Sequence, residues 1–260
     1  MTSPAAFGII VPARYASTRL PGKPLADLGG KPMILRVLEV AERVGAAFTL
    51  VATDDQRIAD VVKAAGCDVM LTSAEHANGT DRLAEVARRR HLDPELVVVN
   101  LQGDEPALPP EIVRLVAQTL GTTPNADLAT LATPIRKRAE VFDPNVVKVL
   151  VDAAGRALYF SRAPVPWLRD DFATTGNENT DAPLPAGAHL RHVGLYAYRV
   201  STLLTLSETH PVTLERAESL EQLRALVLGM TIQVALVPKL PAGGVDTPED
   251  LVRVRAFYGA

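Results

Sequence analysis

Apolar and polar positions follow a regular order of strands and helices along the first half of the chain. Between short apolar runs, apolar residues recur every three or four positions, as Ile34, Val37 and Leu38 do, which is typical of amphipathic helices. This strand–helix alternation predicts an α/β fold with a doubly wound, mainly parallel sheet and right-handed crossovers. The predicted strands lie at 7–11, 48–52, 67–71 and 96–101.

The second half of the chain has a different pattern. Its short apolar runs, one of them partly alternating, predict a smaller mixed sheet with antiparallel strands. The polar stretch 170–188, with its Gly and Pro residues, predicts a mobile loop, and the periodicity at 211–228 predicts one helix. The predicted strands lie at 127–132, 146–151, 157–160, 191–199 and 232–237, before a closing helix at 247–258. We expect a single domain over 1–260, with a first half at 1–126, the mixed-sheet part at 127–230 and a return to the main sheet at 231–260.

Composition and charge narrow the classes of partner. The 260 residues carry a net charge of −3, so we expect no general attraction to nucleic acid or to anionic membranes. No run approaches the roughly 20 apolar residues that span a bilayer. Cys67 is the only cysteine, which excludes an intrachain disulfide and a cysteine metal cluster. We therefore expect a cytoplasmic protein without membrane insertion.

The loop after the first strand carries cations without acidic residues beside them. Arg14, Arg19 and Lys23 follow the strand, Ser17 lies among them, and no acid occurs before Asp27. Cations, hydroxyls and backbone N–H groups all suit phosphate oxygens. The loop is therefore either a polyphosphate site or a solvated basic turn, and the familiar P-loop and dinucleotide motifs are missing.

Two aspartates follow predicted strands at the edge where a ligand would bind. Asp104 comes just after the most apolar strand, and Asp246 lies in the turn before the last helix. One or two carboxylates together with substrate phosphates commonly hold Mg²⁺. The alternatives are that Asp104 is a turn residue before Pro106 and that Asp246 caps the last helix.

A basic set in the second half could bind a carboxylate. Its arginines could hold an acidic substrate in a bidentate manner or form ordinary surface ion pairs. The members of the set are Arg162, Arg169, Arg191, His192 and Tyr196.

His76 could cap a helix or contact a base, and the spacing of the five histidines does not favour a zinc site.

Seven segments together resemble the cytidylyltransferases that activate acidic sugars, specifically the CMP-Kdo synthetase (3-deoxy-manno-octulosonate cytidylyltransferase) family. They occur in order over nearly the whole chain, from about residue 7 to residue 258. The segments are 10–25, 78–82, 100–106, 159–162, 190–196, 220–224 and 244–251.

The resemblance implies an activity and a set of roles. CTP and Kdo would give CMP-Kdo and pyrophosphate with Mg²⁺, for lipopolysaccharide synthesis, in a homodimer whose second-half sheet contributes the contact. The residues expected at the triphosphate are Arg14, Ser17, Arg19 and Lys23. Those expected at the cytidine are His76, Asn78, Gly79 and Arg82, with Gln102 near the ribose or the sugar. Those expected around Kdo are Arg162, Arg169, His192, Tyr196, Glu221 and Gln222. The expected metal ligands are Asp104 and Asp246, which with Arg19 and Lys23 form the expected catalytic set.

Two other functions remain open from the sequence. The acceptor could be another acidic sugar, such as 8-amino-Kdo or a sialic acid. The chain could also be a nucleotide-binding regulator without turnover, although a sensor has no need of two metal-binding carboxylates.

Overall fold

A computed structural model describes residues 6–16, 20–76, 78–175, 183–239 and 244–259. The strands within these ranges are β1 Phe7–Ala13, β2 Phe48–Thr53, β3 Asp68–Leu71, β4 Val97–Asn100, β5 Leu128–Pro134, β6 Lys148–Val151, β7 Ala157–Ser161, β8 Leu190–Arg199 and β9 Ile232–Leu236. The helices are α1 Met33–Val44, α2 Gln56–Ala64, α3 Gly79–Arg89, α4 Pro110–Gly121, α5 Arg138–Phe142, α6 Arg169–Thr175, α7 Val200–Glu208, α8 Thr213–Glu218, α9 Gln222–Val227 and α10 Pro248–Phe257. No helix in these ranges combines the length and apolar character needed to cross a bilayer.

A single sheet runs through both halves of the chain. Its order is β3-β2-β1-β4-β8-β5-β9, and β6 joins it through β8 while pairing with β7. All strands of this order run in the same direction except β8, which is antiparallel to β4 and to β5. The predicted α/β class with a mostly parallel sheet is confirmed. The antiparallel pairing expected in the second half belongs to this same sheet rather than to a separate one.

Helices cover both faces of the sheet, so the core has two apolar layers. On one face α1, α2 and α4 contribute side chains such as Val37, Ile58 and Val116. On the other face α3, α7 and α9 contribute side chains such as Leu83 and Leu203. This covering explains the continuous apolar run of β4, since a central strand has no solvated face.

The region 211–228 forms two helices instead of the single predicted helix. Ser219 follows α8 with φ 51° and ψ 50°, in the left-handed region, and so ends the helix. Glu221 resumes a helical conformation, and α9 begins at Gln222. The apolar spacing of this region is compatible with one helix or two, and only the backbone conformation of Ser219 separates them.

The prediction of a loop at 170–188 is partly wrong. Helix α6 occupies its beginning because Phe172, 2% exposed, packs into a small apolar cluster with Val141 and Val146. Asp171 forms an ion pair with the buried Arg138 from α5. Residues 176–182 of this stretch lie outside the described ranges.

Candidate active site

The loops that leave β1 and β4 meet the turn before α10 at one edge of the sheet. They enclose a cavity of about 390 Å³, the strand-end cavity. The turn before α10 is tied to the β4 loop by a backbone hydrogen bond in which Val245 N–H donates to the carbonyl of Asp104 at 2.9 Å. The polar side chains that line this cavity include those of Arg14, Lys23, Arg82, Gln102, Asp104 and Asp246.

Lys23 joins the two aspartates of the strand-end cavity. Its Nζ lies 2.6 Å from Oδ2 of Asp104 and 3.3 Å from Oδ1 of Asp246, although 223 residues separate Lys23 from the latter. Gly22, with φ 71°, begins the short 3-10 helix Lys23–Leu25 that places the ammonium. Gly103 lies so close to β1 that a Cβ would be 2.8 Å from the carbonyl oxygen of Pro12, so any side chain there would displace the Asp104 loop.

The cap of α10 is Thr247 and not Asp246. The Thr247 hydroxyl accepts from the N–H of Asp250, whose carboxylate accepts in turn from the N–H groups of Thr247 and Asp246. This reciprocal capping box satisfies the helix end without the Asp246 side chain. The alternative that Asp246 serves as a helix cap is therefore wrong, and its carboxylate is directed to Lys23 instead.

Glu105 is a titratable group that the sequence reasoning missed. Burial, followed by the neighbouring charges of Asp104 and Asp246, raises the pKa of Glu105 to about 8. Gly244 packs against it so closely that a Cβ would lie 2.9 Å from its Oε1. The sequence contains a signal, since Glu105 directly follows Asp104, but adjacency alone does not reveal the burial.

A second cavity, the aromatic cavity, adjoins the first and encloses about 380 Å³. The two cavities share Arg14, Gly79 and Gln102. Alternate residues of β8 face the aromatic cavity, as expected for one face of a strand. They are His192, Gly194, Tyr196 and Tyr198. The opposite wall is the turn between α8 and α9, with Ser219, Leu220, Glu221 and Gln222.

Polar atoms of the aromatic cavity lack partners within the described part of the chain. The Tyr196 hydroxyl, although it lies near Thr130, and the Gln222 Nε2 are buried without a hydrogen bond of good geometry. Buried polar groups in native proteins are nearly always paired, so these two atoms indicate a place for a polar ligand. His192 Nε2 is 2.9 Å from Thr130 Oγ1, and burial lowers the pKa of His192 to about 3, which keeps the ring neutral.

Comparison with known proteins identifies the family. The cytidylyltransferase family matches residues 8–232. This chain belongs to the cytidylyltransferase family. The 3-deoxy-manno-octulosonate cytidylyltransferase of Marinobacter nauticus is 52% identical over 252 residues, which cover 96% of each chain. A solved structure of CMP:2-keto-3-deoxy-manno-octonic acid synthetase complexed with CTP is 42% identical, with a TM-score of 0.87 over 98% of this chain and 99% of that one. The resemblance inferred from the motifs is thereby confirmed.

Most of the predicted site residues come together in this cytidylyltransferase. Asn78 lines the aromatic cavity and caps α3, its Oδ1 accepting from the N–H of Asp81 at 2.9 Å. Arg82 lines the strand-end cavity while binding Thr72 and Asp54, which leaves its Nε without a hydrogen-bond partner in the described ranges. The predicted residues that line one or both cavities are Arg14, Lys23, Asn78, Gly79, Arg82, Gln102, Asp104, His192, Tyr196, Glu221, Gln222 and Asp246.

Of the five remaining predicted residues, the three that lie in the described ranges are not among those that line the cavities. Ser17 and Arg19 lie outside the described ranges. His76 contacts Glu85, with Nε2 2.6 Å from Oε2, and Arg169 is exposed at the start of α6. Arg162 donates to main-chain carbonyls and is not among the residues that line the aromatic cavity. Ligand contacts by these residues remain predictions from the resemblance.

Proposed function

We propose that this cytidylyltransferase transfers CMP from CTP to the anomeric hydroxyl of Kdo, giving CMP-Kdo and pyrophosphate. The anomeric hydroxyl would lose its proton to solvent as its oxygen forms a bond to the α-phosphorus, and the bond from that phosphorus to the pyrophosphate oxygen would break. The product would supply activated Kdo for lipopolysaccharide synthesis. The observation that carries the proposal is the pair of adjoining cavities, one charged and one aromatic, which share Arg14, Gly79 and Gln102.

The strand-end cavity suits the triphosphate. Arg14 and Lys23 supply positive charge there, and the sequence adds Arg19 and Ser17 from the same loop. Charge-assisted hydrogen bonds to phosphate oxygens are short and strong, so these side chains would orient the α-phosphorus toward the second cavity. The solved relative that is complexed with CTP supports a nucleotide in this fold.

The donor set at this edge fits Mg²⁺. The described residues contain no group of three or more His, Cys, Asp or Glu side chains that could hold a metal, so the protein would provide few ligands. Asp104 and Asp246 converge on one cationic atom, Lys23 Nζ, and a pair of carboxylates that converges on a cation is the arrangement Mg²⁺ uses together with substrate phosphates. Bound there, Mg²⁺ would neutralise charge on phosphate oxygens.

The aromatic cavity suits the acidic sugar. The unpaired Tyr196 hydroxyl and Gln222 amide would hydrogen-bond sugar hydroxyls, and neutral His192 would do so without adding charge. Glu221 lines the same wall and could accept from further hydroxyls. These groups would position the anomeric hydroxyl, which is how most of the catalytic effect in transfers at phosphorus arises.

The proposal includes a cytoplasmic homodimer. Leu158, on β7, is 60% exposed, and β7 belongs to the mixed-sheet part, 127–230, in which the resemblance places the dimer contact. Sedimentation of the purified protein at several concentrations tests this part separately from catalysis.

Pyrophosphate release with a panel of sugars tests the function. The enzyme, CTP and MgCl₂ would be incubated with Kdo, 8-amino-Kdo or a sialic acid, with EDTA replacing the metal in a parallel series. We expect kcat/KM to be highest for Kdo and release to stop with EDTA. If kcat/KM is highest for another acidic sugar, that sugar and not Kdo is the acceptor. CTP binding without pyrophosphate release on any sugar would instead support a regulator.

A further inference from the structure

Arg162 lies just beyond β7, and its guanidinium contacts main chain instead of a cavity. Nε donates to the carbonyl of Glu218 at 2.7 Å, and Nη1 donates to the carbonyl of Pro144 at 2.8 Å. Nη2 is 3.5 Å from the carbonyl oxygen of Ser219. A planar guanidinium held by acceptors from two segments has a fixed orientation. Direct binding of a sugar carboxylate would therefore require these hydrogen bonds to break.

Glu218 returns the contact through its side chain. Its carboxylate accepts from the Ser161 hydroxyl at 2.7 Å and from the Arg162 main-chain N–H at 2.9 Å. The end of α8 is thus fastened to the end of β7 by both the main chain and the side chain of one residue. Hydrogen bonds to a charged acceptor are stronger than neutral ones, so this connection is a firm one.

Lys148 fixes the strand end to which Glu218 is attached. Its side chain is fully buried, and its ammonium donates to the carbonyls of Asp143 at 3.0 Å, Val146 at 2.6 Å and Arg162 at 2.6 Å. Burial lowers the pKa of Lys148. The same 143–146 segment supplies the Pro144 carbonyl to Arg162. The contacts are therefore continuous from Lys148 to the turn at Ser219.

The turn that receives these contacts is conformationally strained. Ser219 has φ 51°, which costs a non-glycine residue about 1 kcal/mol or more. The hydrogen bonds from Arg162 reach the carbonyls of Glu218 and Ser219, on either side of the Ser219 torsions. Glu221 and Gln222 follow after Leu220 and belong to the wall of the aromatic cavity.

We propose that Arg162 and Glu218 form a clamp that holds the 218–222 turn against β7 and thereby positions Glu221 and Gln222 for the acidic sugar. The inference rests on the proposed function, because it assigns the aromatic cavity to the sugar. Arg162 is in this view a positioning residue and not a ligand of the sugar carboxylate.

Kinetics of clamp variants test the proposal. Arg162→Ala and Glu218→Ala would be compared with Arg156→Ala and Glu208→Ala, which remove exposed charges paired with Asp152 and Arg88. We expect each clamp variant to raise the Kdo KM about tenfold, with the CTP KM changed less than about twofold. The double variant should be no worse than the poorer single variant, because both act through one turn. Glu218→Gln keeps one acceptor oxygen and should recover part of the loss.

Several outcomes would overturn the clamp. If Arg162→Ala raises the Kdo KM while Glu218→Ala does not, or if the two effects multiply, Arg162 binds the sugar directly. If both variants keep the wild-type Kdo KM, the clamp is wrong although the proposed function stands. If the wild-type enzyme transfers CMP to no acidic sugar, the proposed function fails, and hydrogen exchange still decides the clamp. Amides 219–223 should then exchange faster in Glu218→Ala than in Glu208→Ala, and equal rates would reject it.

Discussion

The strand-end cavity and the aromatic cavity adjoin each other but are built by different means. In the first, Lys23 lies in the 3-10 helix of the connection after β1, Asp104 follows β4, and Asp246 lies in the turn before α10. In the second, the antiparallel strand β8 provides one wall and the α8–α9 turn provides the other. The first cavity places charges by topology, since parallel strands end at one edge. In the second cavity, the side chains of one wall are placed by the alternation of β8, and those of the other wall by the turn that Arg162 and Glu218 hold.

Their electrostatic character differs in the same way. Opposite charges meet in the strand-end cavity, and Lys23 is only 14% exposed there. In the aromatic cavity His192 stays neutral, and the Tyr196 hydroxyl makes no hydrogen bond of good geometry within the described residues. Charged groups suit a polyphosphate and a metal ion, whereas neutral donors and acceptors suit sugar hydroxyls. The contrast implies that substitutions in the two cavities should affect different kinetic constants.

The largest effect should follow from the aspartates of the strand-end cavity. Asp104→Asn and Asp246→Asn each replace a charged ligand by a neutral amide, and we expect kcat to fall by about 10²-fold to 10⁴-fold. Stability should change little, because the Lys23 pairs are partly solvated and such pairs contribute at most about 1 kcal/mol. Pyrophosphate release and thermal unfolding measure the two quantities. Asp152→Asn, at an exposed ion pair, is the control, and near-normal kcat in both variants would refute the metal assignment.

More of the strand-end cavity than of the aromatic cavity could be predicted from the sequence. Asp104 follows a continuous apolar run, so its position at the carboxyl edge follows from the pattern alone. Its meeting with Asp246 could not be derived, because that depends on β9 joining the sheet beside β5. Thr247 capping could have been foreseen, since Thr247 and Asp250 have the spacing of a capping box.

The aromatic cavity depended on the family resemblance. Tyr198 lines it two positions after Tyr196, and strand alternation alone predicts that these two side chains share a face. The role of Arg162 could not be predicted from strand alternation. Every residue has a main-chain carbonyl, so the sequence does not indicate which carbonyls an arginine will contact. An arginine within a basic set looks the same whether it binds a substrate or a carbonyl.

A smaller effect, confined to the sugar, should follow from Tyr196→Phe. The substitution removes a buried hydroxyl that lies near Thr130 but makes no hydrogen bond of good geometry in the described ranges. We expect the Kdo KM to rise about tenfold, the CTP KM to stay within about twofold, and stability to hold or improve slightly. Tyr159→Phe, on β7 and not among the cavity-lining residues, is the matched control. An unchanged Kdo KM would mean that the sugar does not use this hydroxyl.

The last effect, on stability rather than on catalysis, concerns the neutral state of His192. Burial lowers its pKa to about 3, whereas in the unfolded chain it should return to about 6.5. As the pH falls from about 6.5 toward 3, the unfolded state binds a proton that the folded state excludes, so the free energy of unfolding decreases. The His192→Gln variant has no imidazole to take up this proton. Between pH 7 and pH 5 its free energy of unfolding should therefore decrease by about 1–2 kcal/mol less than that of the wild type.

Urea unfolding of the wild type and of His192→Gln at both pH values would measure this difference. The exposed His210→Gln provides the control for removing a histidine outside the cavity. Equal losses in the wild type and in His192→Gln would show that His192 takes up its proton in the folded state. His192 would then be charged in mild acid, and its contrast with the charged side chains of the strand-end cavity would hold only near neutral pH.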